Sequence, residues 1–230
     1  MIRSFIARRN TAKLLKCKVD ELSMRSVYLP EFNIIYLINP KVASSTIIYS
    51  LLLLDKEQYG RDLEDFYGID ARRRISSERD PVGFYRHLRE RRAYVFSLVR
   101  HPFTRALSCY RDKIYGPQRS RFRAYLNLDL ERKVSFVEFL SAVAKQQPAE
   151  MNRHWRPQGW LLPEETGAFI KRFEDLPSAF HEIATEAGIS ELSIHDFRPH
   201  ATHSNEAYPP DDGLVRQIYA EDFRRFGYEP

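Results

Sequence analysis

The chain has 230 residues, 43% hydrophobic and 13% aromatic, enough for one domain (1–230) with a full hydrophobic core. Two cysteines make no disulfide framework, the apolar run Ile47 to Leu54 is far too short to span a bilayer, and Met1–Arg9 lacks a signal peptide's apolar core, so a reducing, cytoplasmic setting with no integral membrane segment is expected. The net charge of +5 suits a polyanionic ligand and also nucleic acid, so charge alone chooses neither.

Residues 1–30 read as a mixed basic extension with one helix near Thr11–Leu22. The run Ile34-Ile35-Tyr36-Leu37-Ile38 reads as a buried strand, stopped at Asn39-Pro40 because proline cannot donate to a ladder. Lys41 follows, then Val42, Ala43 and the hydroxyl cluster Ser44-Ser45-Thr46, then the helical run from Ile47. Strand, tight turn, lysine, hydroxyls and helix is the layout of a phosphate-binding loop. The unpaired N–H groups and positive dipole end of the helix face an anion, and the lysine adds a mobile charge. The hydroxyls have a plainer use as helix N-caps. The glycines of G-x-x-x-x-G-K-[ST] are missing, so the turn does not match the ATP/GTP version.

Residues 57–92, dense in mixed charge, read as a variable, exposed and partly helical insertion. Tyr94–Val99 is a second apolar strand. Arg100 stands at its carboxyl end, Pro102 breaks it, and a helix begins near Thr104. Arg100 and Ser108 are both placed to reach an anion beside this turn, since ligands of open α/β sheets sit at the carboxyl ends of strands. Two such turns imply a ligand with two separated phosphate-like groups. Residues 116–134 look irregular. Ser135-Phe136-Val137-Glu138 is a capping box opening a helix to about Gln147. Phe169–Phe173 is a short strand, Leu176–Ala187 a helix ended by Gly188, and a last helix runs from about Asp212 to Phe226. Strands separated by helices predict a parallel sheet.

The segment PKVASST (Pro40–Thr46) resembles the 5′-phosphosulfate loop of sulfotransferases that use PAPS (3′-phosphoadenosine 5′-phosphosulfate). LVRHPFTRALSCYRDKI (Leu98–Ile114) resembles their 3′-phosphate motif. Asn152–Gln158 and Ile218–Tyr228 are similar to the carbohydrate branch that includes chondroitin and HNK-1 enzymes. Those Golgi enzymes carry an anchor and several cysteines, and this chain shows neither, which points to a cytoplasmic enzyme. The resemblance implies an α/β, P-loop-like three-layer fold with a central parallel sheet flanked by helices. It implies sulfuryl transfer from PAPS to a hydroxyl of a carbohydrate-type acceptor, with no metal and no nucleic-acid partner. Lys41 would meet the charge on the leaving oxygen, and Val42, Ala43, Ser44, Ser45 and Thr46 would hold the phosphosulfate. Arg100 and Ser108 would hold the 3′-phosphate, and Arg198 falls in a loop near the nucleotide. Arg105, Arg111, Asp112 and Lys113 read as structural, orienting the helix through ion pairs.

A base is needed for the acceptor proton, and histidine suits it. His87 and His154 are the candidates, with His87 preferred for its place just before the second strand. His154 has Trp155 beside it, an aromatic suited to stacking on a sugar face, and is better explained by acceptor positioning or by packing. Either has an equally good plain reading as a hydrogen-bonded structural histidine. His101 is a weaker candidate inside the second motif. The rival functions are a P-loop-type small-molecule kinase, disfavoured by the missing glycines, and a non-catalytic nucleotide- or nucleic-acid-binding module, disfavoured by the intact Lys41 and the interleaving of arginines with acids.

Overall fold

The computed structural model describes residues 1–65, 67–195 and 213–229. They form two compact units. The first comprises Met1–Asn39, Ala43–Val99 and the described part of Leu161–Arg198; the second comprises Pro40–Val42, Arg100–Trp160 and the described part of Pro199–Pro230.

The first unit is a mixed α/β body. Its sheet has strands β1 (Ser26–Leu29), β2 (Ile34–Leu37), β3 (Tyr94–Val99) and β4 (Phe169–Arg172) in the order β1-β2-β3-β4. The pairs β2–β3 and β3–β4 are parallel, as expected, but β1 pairs with β2 antiparallel. The reason is local. Only Pro30–Asn33 separates the two strands, Asn33 turns the chain at φ +50, and a parallel connection needs a dozen or more residues. β1 lies in the stretch read as an extension, yet all four of its residues are buried.

Helices flank this sheet. α1 (Ile2–Leu14) starts and ends earlier than predicted, because Lys16 adopts φ +49 and stops it. α2 (Ser44–Leu52) buries Ile47, Ile48, Leu51 and Leu52, one side of a helix by their spacing. The 57–92 region supplies α3 (Lys56–Glu64), α4 (Ile69–Arg74) and α5 (Pro81–Arg89). It is less solvated than its charge suggested. Tyr59, Asp62, Ala71, Arg72, Ile75, Phe84 and Leu88 are buried, and α5 packs on α1. α10 (Leu176–Ala187) lies against β4 and β3 and ends at Gly188, as the sequence indicated.

The second unit is helical. α6 (Pro102–Ile114) carries proline at its first position, where the missing N–H costs nothing. α7 (Arg119–Tyr125) lies in the stretch expected to be irregular. α8 (Phe136–Ala144) opens on the Ser135–Glu138 capping box. A short α9 (Gln158–Leu161) follows, and the last predicted helix is two, α11 (Gly213–Ile218) and α12 (Ala220–Phe226), broken at Tyr219. Tyr219 spends its hydroxyl on the Trp155 carbonyl at 2.9 Å. Trp155 is fully buried among Phe122, Tyr125 and Phe139, with its ring N–H on Gln146 Oε1 at 2.9 Å. This corrects the sugar-stacking reading: a ring with no exposed face has none to offer a sugar.

Candidate functional site

The turn after β2 takes its shape from two residues that are not glycine. Lys41 lies at φ +74 and Ala43 at φ +60, the left-handed region that L-residues visit at a cost. Nucleotide loops use glycine for such positions, so this turn has the geometry without the glycine signature. Within the first unit, the Asn39 amide donates to the Leu98 carbonyl at 2.9 Å, and the Ser44 hydroxyl donates to the Asn39 carbonyl at 2.5 Å. The Tyr36 hydroxyl donates to Ser44 Oγ at 3.3 Å, and burial keeps that phenol strongly protonated. Ser45 Oγ pairs with the Tyr67 hydroxyl at 2.6 Å. Thr46 is buried. The N-cap of α2 is Ala43, with no side-chain cap, so the plain capping role of the hydroxyl cluster is not the one seen.

Lys41 belongs to the second unit. Its ammonium meets Asp112 Oδ2 at 2.9 Å, and Lys113 reaches the same oxygen at 3.0 Å. The three side chains are only 10%, 16% and 15% exposed, respectively. Burial works against the Asp112 charge, but the two ammonium groups outweigh it and hold the carboxyl below the ordinary range. Lys113 Nζ also lies 5.2 Å from the centre of the Phe122 ring, which meets the His154 ring edge-on at 5.6 Å.

His154 is half-buried. Its backbone N–H donates to Asn152 Oδ1 at 3.1 Å, and its Nδ1 lies 2.7 Å from the same oxygen. An oxygen that already accepts the amide must also accept from Nδ1–H, which leaves the lone pair on Nε2. Burial, helped by the neighbouring charges of Arg153, Lys113, Lys41 and Arg105, pushes this imidazole well below the usual histidine value, so it is neutral at pH 7.

Arg100 follows β3. Its Nε donates to Thr104 Oγ1 at 3.0 Å and its Nη1 to the Lys41 carbonyl at 3.3 Å. Arg105 is 1% exposed and gives its guanidinium to three carbonyls: Pro40 at 3.0 Å, Arg156 at 3.0 Å and Arg153 at 3.4 Å. It braces backbone rather than ion-pairing, as the sequence reading had it. Ser108 is half-buried one turn beyond Thr104. Buried Cys109 packs as a small hydrophobe, its thiol pushed up to about 11 by burial.

The other candidates divide simply. His87, on α5 of the first unit, places Nδ1 3.2 Å from the Tyr28 hydroxyl and packs edge-on against that ring at 5.8 Å. Tyr28 sits opposite Ile35 in the sheet register. His101 is the N-cap of α6, its Nδ1 accepting from the Phe103 N–H at 3.3 Å and its Nε2 bonding the Glu229 carbonyl at 3.2 Å. Arg198 lies outside the described residues. Among the described residues no group of His, Cys, Asp and Glu is placed to hold a metal ion, and no helix is long and apolar enough to cross a membrane.

Sequence reasoning missed the partnership of Asp112 with Lys41. The two are 71 residues apart, and the only signal was an acid between two basic residues in a helix read as structural. Chemically, the second unit offers a poised ammonium, an arginine set by its neighbours and a neutral imidazole of fixed tautomer; the first offers hydroxyls and uncapped helix amides. No curated protein and no solved structure matches the chain. The model of the sulfotransferase family matches residues 24–229, nearly the whole chain. The chain belongs to the sulfotransferase family.

Proposed function

We propose that the chain moves a sulfuryl group from PAPS to a hydroxyl of a carbohydrate-type acceptor, releasing 3′,5′-ADP. The observation that carries this reading is Lys41: a lysine at a left-handed turn after a strand, its ammonium held by an acid of the Arg100–Lys113 motif. In the transfer, the acceptor oxygen forms a bond to sulfur while the bond from sulfur to the 5′-phosphate oxygen breaks. Charge grows on that leaving oxygen, and Lys41 stabilises it. Ser44, Ser45 and Thr46, with the first amides of α2, take the phosphosulfate; Val42 and Ala43 shape the turn. Arg100 and Ser108 take the 3′-phosphate. The mostly parallel four-stranded sheet with flanking helices supports a P-loop-like fold.

The acceptor proton goes to a histidine. His154 is the candidate taken here: Asn152 holds its Nδ1–H, which leaves the Nε2 lone pair to accept the proton, and burial with the neighbouring positive charges keeps the ring neutral. The test is calorimetric titration of the chain with 3′,5′-ADP and with Mg–ATP, followed by labelled PAPS with a panel of saccharides. Tight 3′,5′-ADP binding and label transfer support the reading. Preference for Mg–ATP would favour a kinase instead.

A further inference from the structure

β3 pairs with β4 only as far as Val99↔Arg172, so the next residue, Arg100, has left the ladder. Its backbone still needs partners. Gln158 supplies both. The Arg100 N–H donates to Gln158 Oε1 at 2.9 Å, and the Gln158 amide donates back to the Arg100 carbonyl at 2.8 Å. A side-chain amide thus stands in for a strand neighbour. Gln158 is fully buried, and so is Asp222, which seats it. The Gln158 N–H donates to Asp222 Oδ2 at 2.7 Å and the Gly159 N–H to Oδ1 at 2.8 Å. Arg225 closes the group by donating to the Gly159 carbonyl at 3.0 Å. A Cβ on Gly159 would come within 3.3 Å of Arg225 Nη1 and 3.5 Å of Asp222 Oδ1, so the clamp is close-packed.

We propose that Gln158, seated by Asp222, is the positioning residue for Arg100. It fixes the Arg100 backbone and hence the start of the side chain that donates to the Lys41 carbonyl. This gives physical work to two segments, 152–158 and 218–228, that carry no group assigned to the donor. The inference deepens the reading of Arg100 as the 3′-phosphate ligand and rests on it for its functional consequence.

Two measurements on Gln158→Leu test it. The first needs no ligand. Hydrogen exchange at the Arg100 amide should quicken at least about tenfold while neighbouring β3 and α6 amides keep their protection, because the part-buried hydrogen bond that holds this amide is lost. Unchanged exchange at Arg100 would overturn the clamp. The second is calorimetry. Affinity for 3′,5′-ADP should fall about tenfold or more while 5′-AMP, which lacks the 3′-phosphate, stays within about twofold. Equal losses for both ligands would mean that Gln158 is merely structural. If Gln158→Leu does not fold, Gln158→Glu takes its place: it keeps an acceptor for the Arg100 N–H but sets a carboxylate against the Arg100 carbonyl, so the same selective loss is expected. If the parent protein itself shows no preference for 3′,5′-ADP over 5′-AMP, the donor reading fails, and the exchange measurement still decides the clamp.

Discussion

The Lys41 ammonium and the Asp112 carboxylate lie 2.9 Å apart, and Lys113 meets the same carboxylate oxygen from 3.0 Å. One acid therefore holds two cations close together in a partly buried place. Asp112→Asn should leave the two ammonium groups facing each other uncompensated. We expect a loss of about 1–3 kcal/mol in stability by denaturant unfolding. Turnover should fall at least about tenfold as Lys41 loses its fixed direction, while 3′,5′-ADP binds as well or better because local positive charge has risen. The pH sign follows from the lowered carboxyl. Its stabilisation is present above the ordinary aspartate range and is lost as pH drops below it through the folded-state value, so parent and variant should converge in stability on acidification. Parallel stability curves at all pH values would remove the pair from the account.

Ala43 holds a left-handed conformation at the N-cap of α2. Ala43→Gly should stabilise the chain by up to about 1 kcal/mol, because glycine adopts this region without a Cβ clash. Ala43→Val should destabilise it by about 1–3 kcal/mol. Urea melts of the two variants check the order; a valine variant as stable as the glycine one would contradict the turn geometry.

Trp155 is a core residue. Trp155→Ala should cost about 3–5 kcal/mol, the usual range for deleting a buried tryptophan. Trp155→Phe, which keeps most of the packing but loses the bond to Gln146, should retain the parent's Michaelis constant for the acceptor. A raised acceptor constant with unchanged melting temperature would restore a sugar-contacting role.

His154 is buried enough to resist protonation. If it is the base, activity should stay flat on acidification through pH 6.5 and fall only below it, since a base works in its neutral form. His154→Ala should lose turnover and keep 3′,5′-ADP binding. A pH–rate profile whose acid limb centres at or above 6.5, or one unchanged in the variant, would turn attention to His87.

Much of this was legible in sequence because it is local. The strands Ile34–Leu37 and Tyr94–Val99 announce themselves by apolar runs, α8 by its capping box and α10 by its terminal glycine. β1 was hidden because four residues buried on both faces give no alternating period, and its direction is set by a short turn rather than by any residue in it. Among the candidate residues, Lys41, Arg100 and the hydroxyls stood out by spacing. The partners that orient them did not, because Asp112 and Gln158 reach them across 71 and 58 residues. Trp155 misled for a related reason: an aromatic beside a histidine reads the same whether it faces a sugar or a core.

The central claim is that Lys41 stabilises the leaving phosphate oxygen. Turnover of labelled PAPS by Lys41→Ala, measured beside calorimetric binding of 3′,5′-ADP, tests it most directly. The account predicts turnover lower by about 10²–10³-fold, the usual effect of removing one group that stabilises transition-state charge, with a much smaller loss of binding. Near-normal turnover, or a loss of binding as large as the loss of rate, would contradict it.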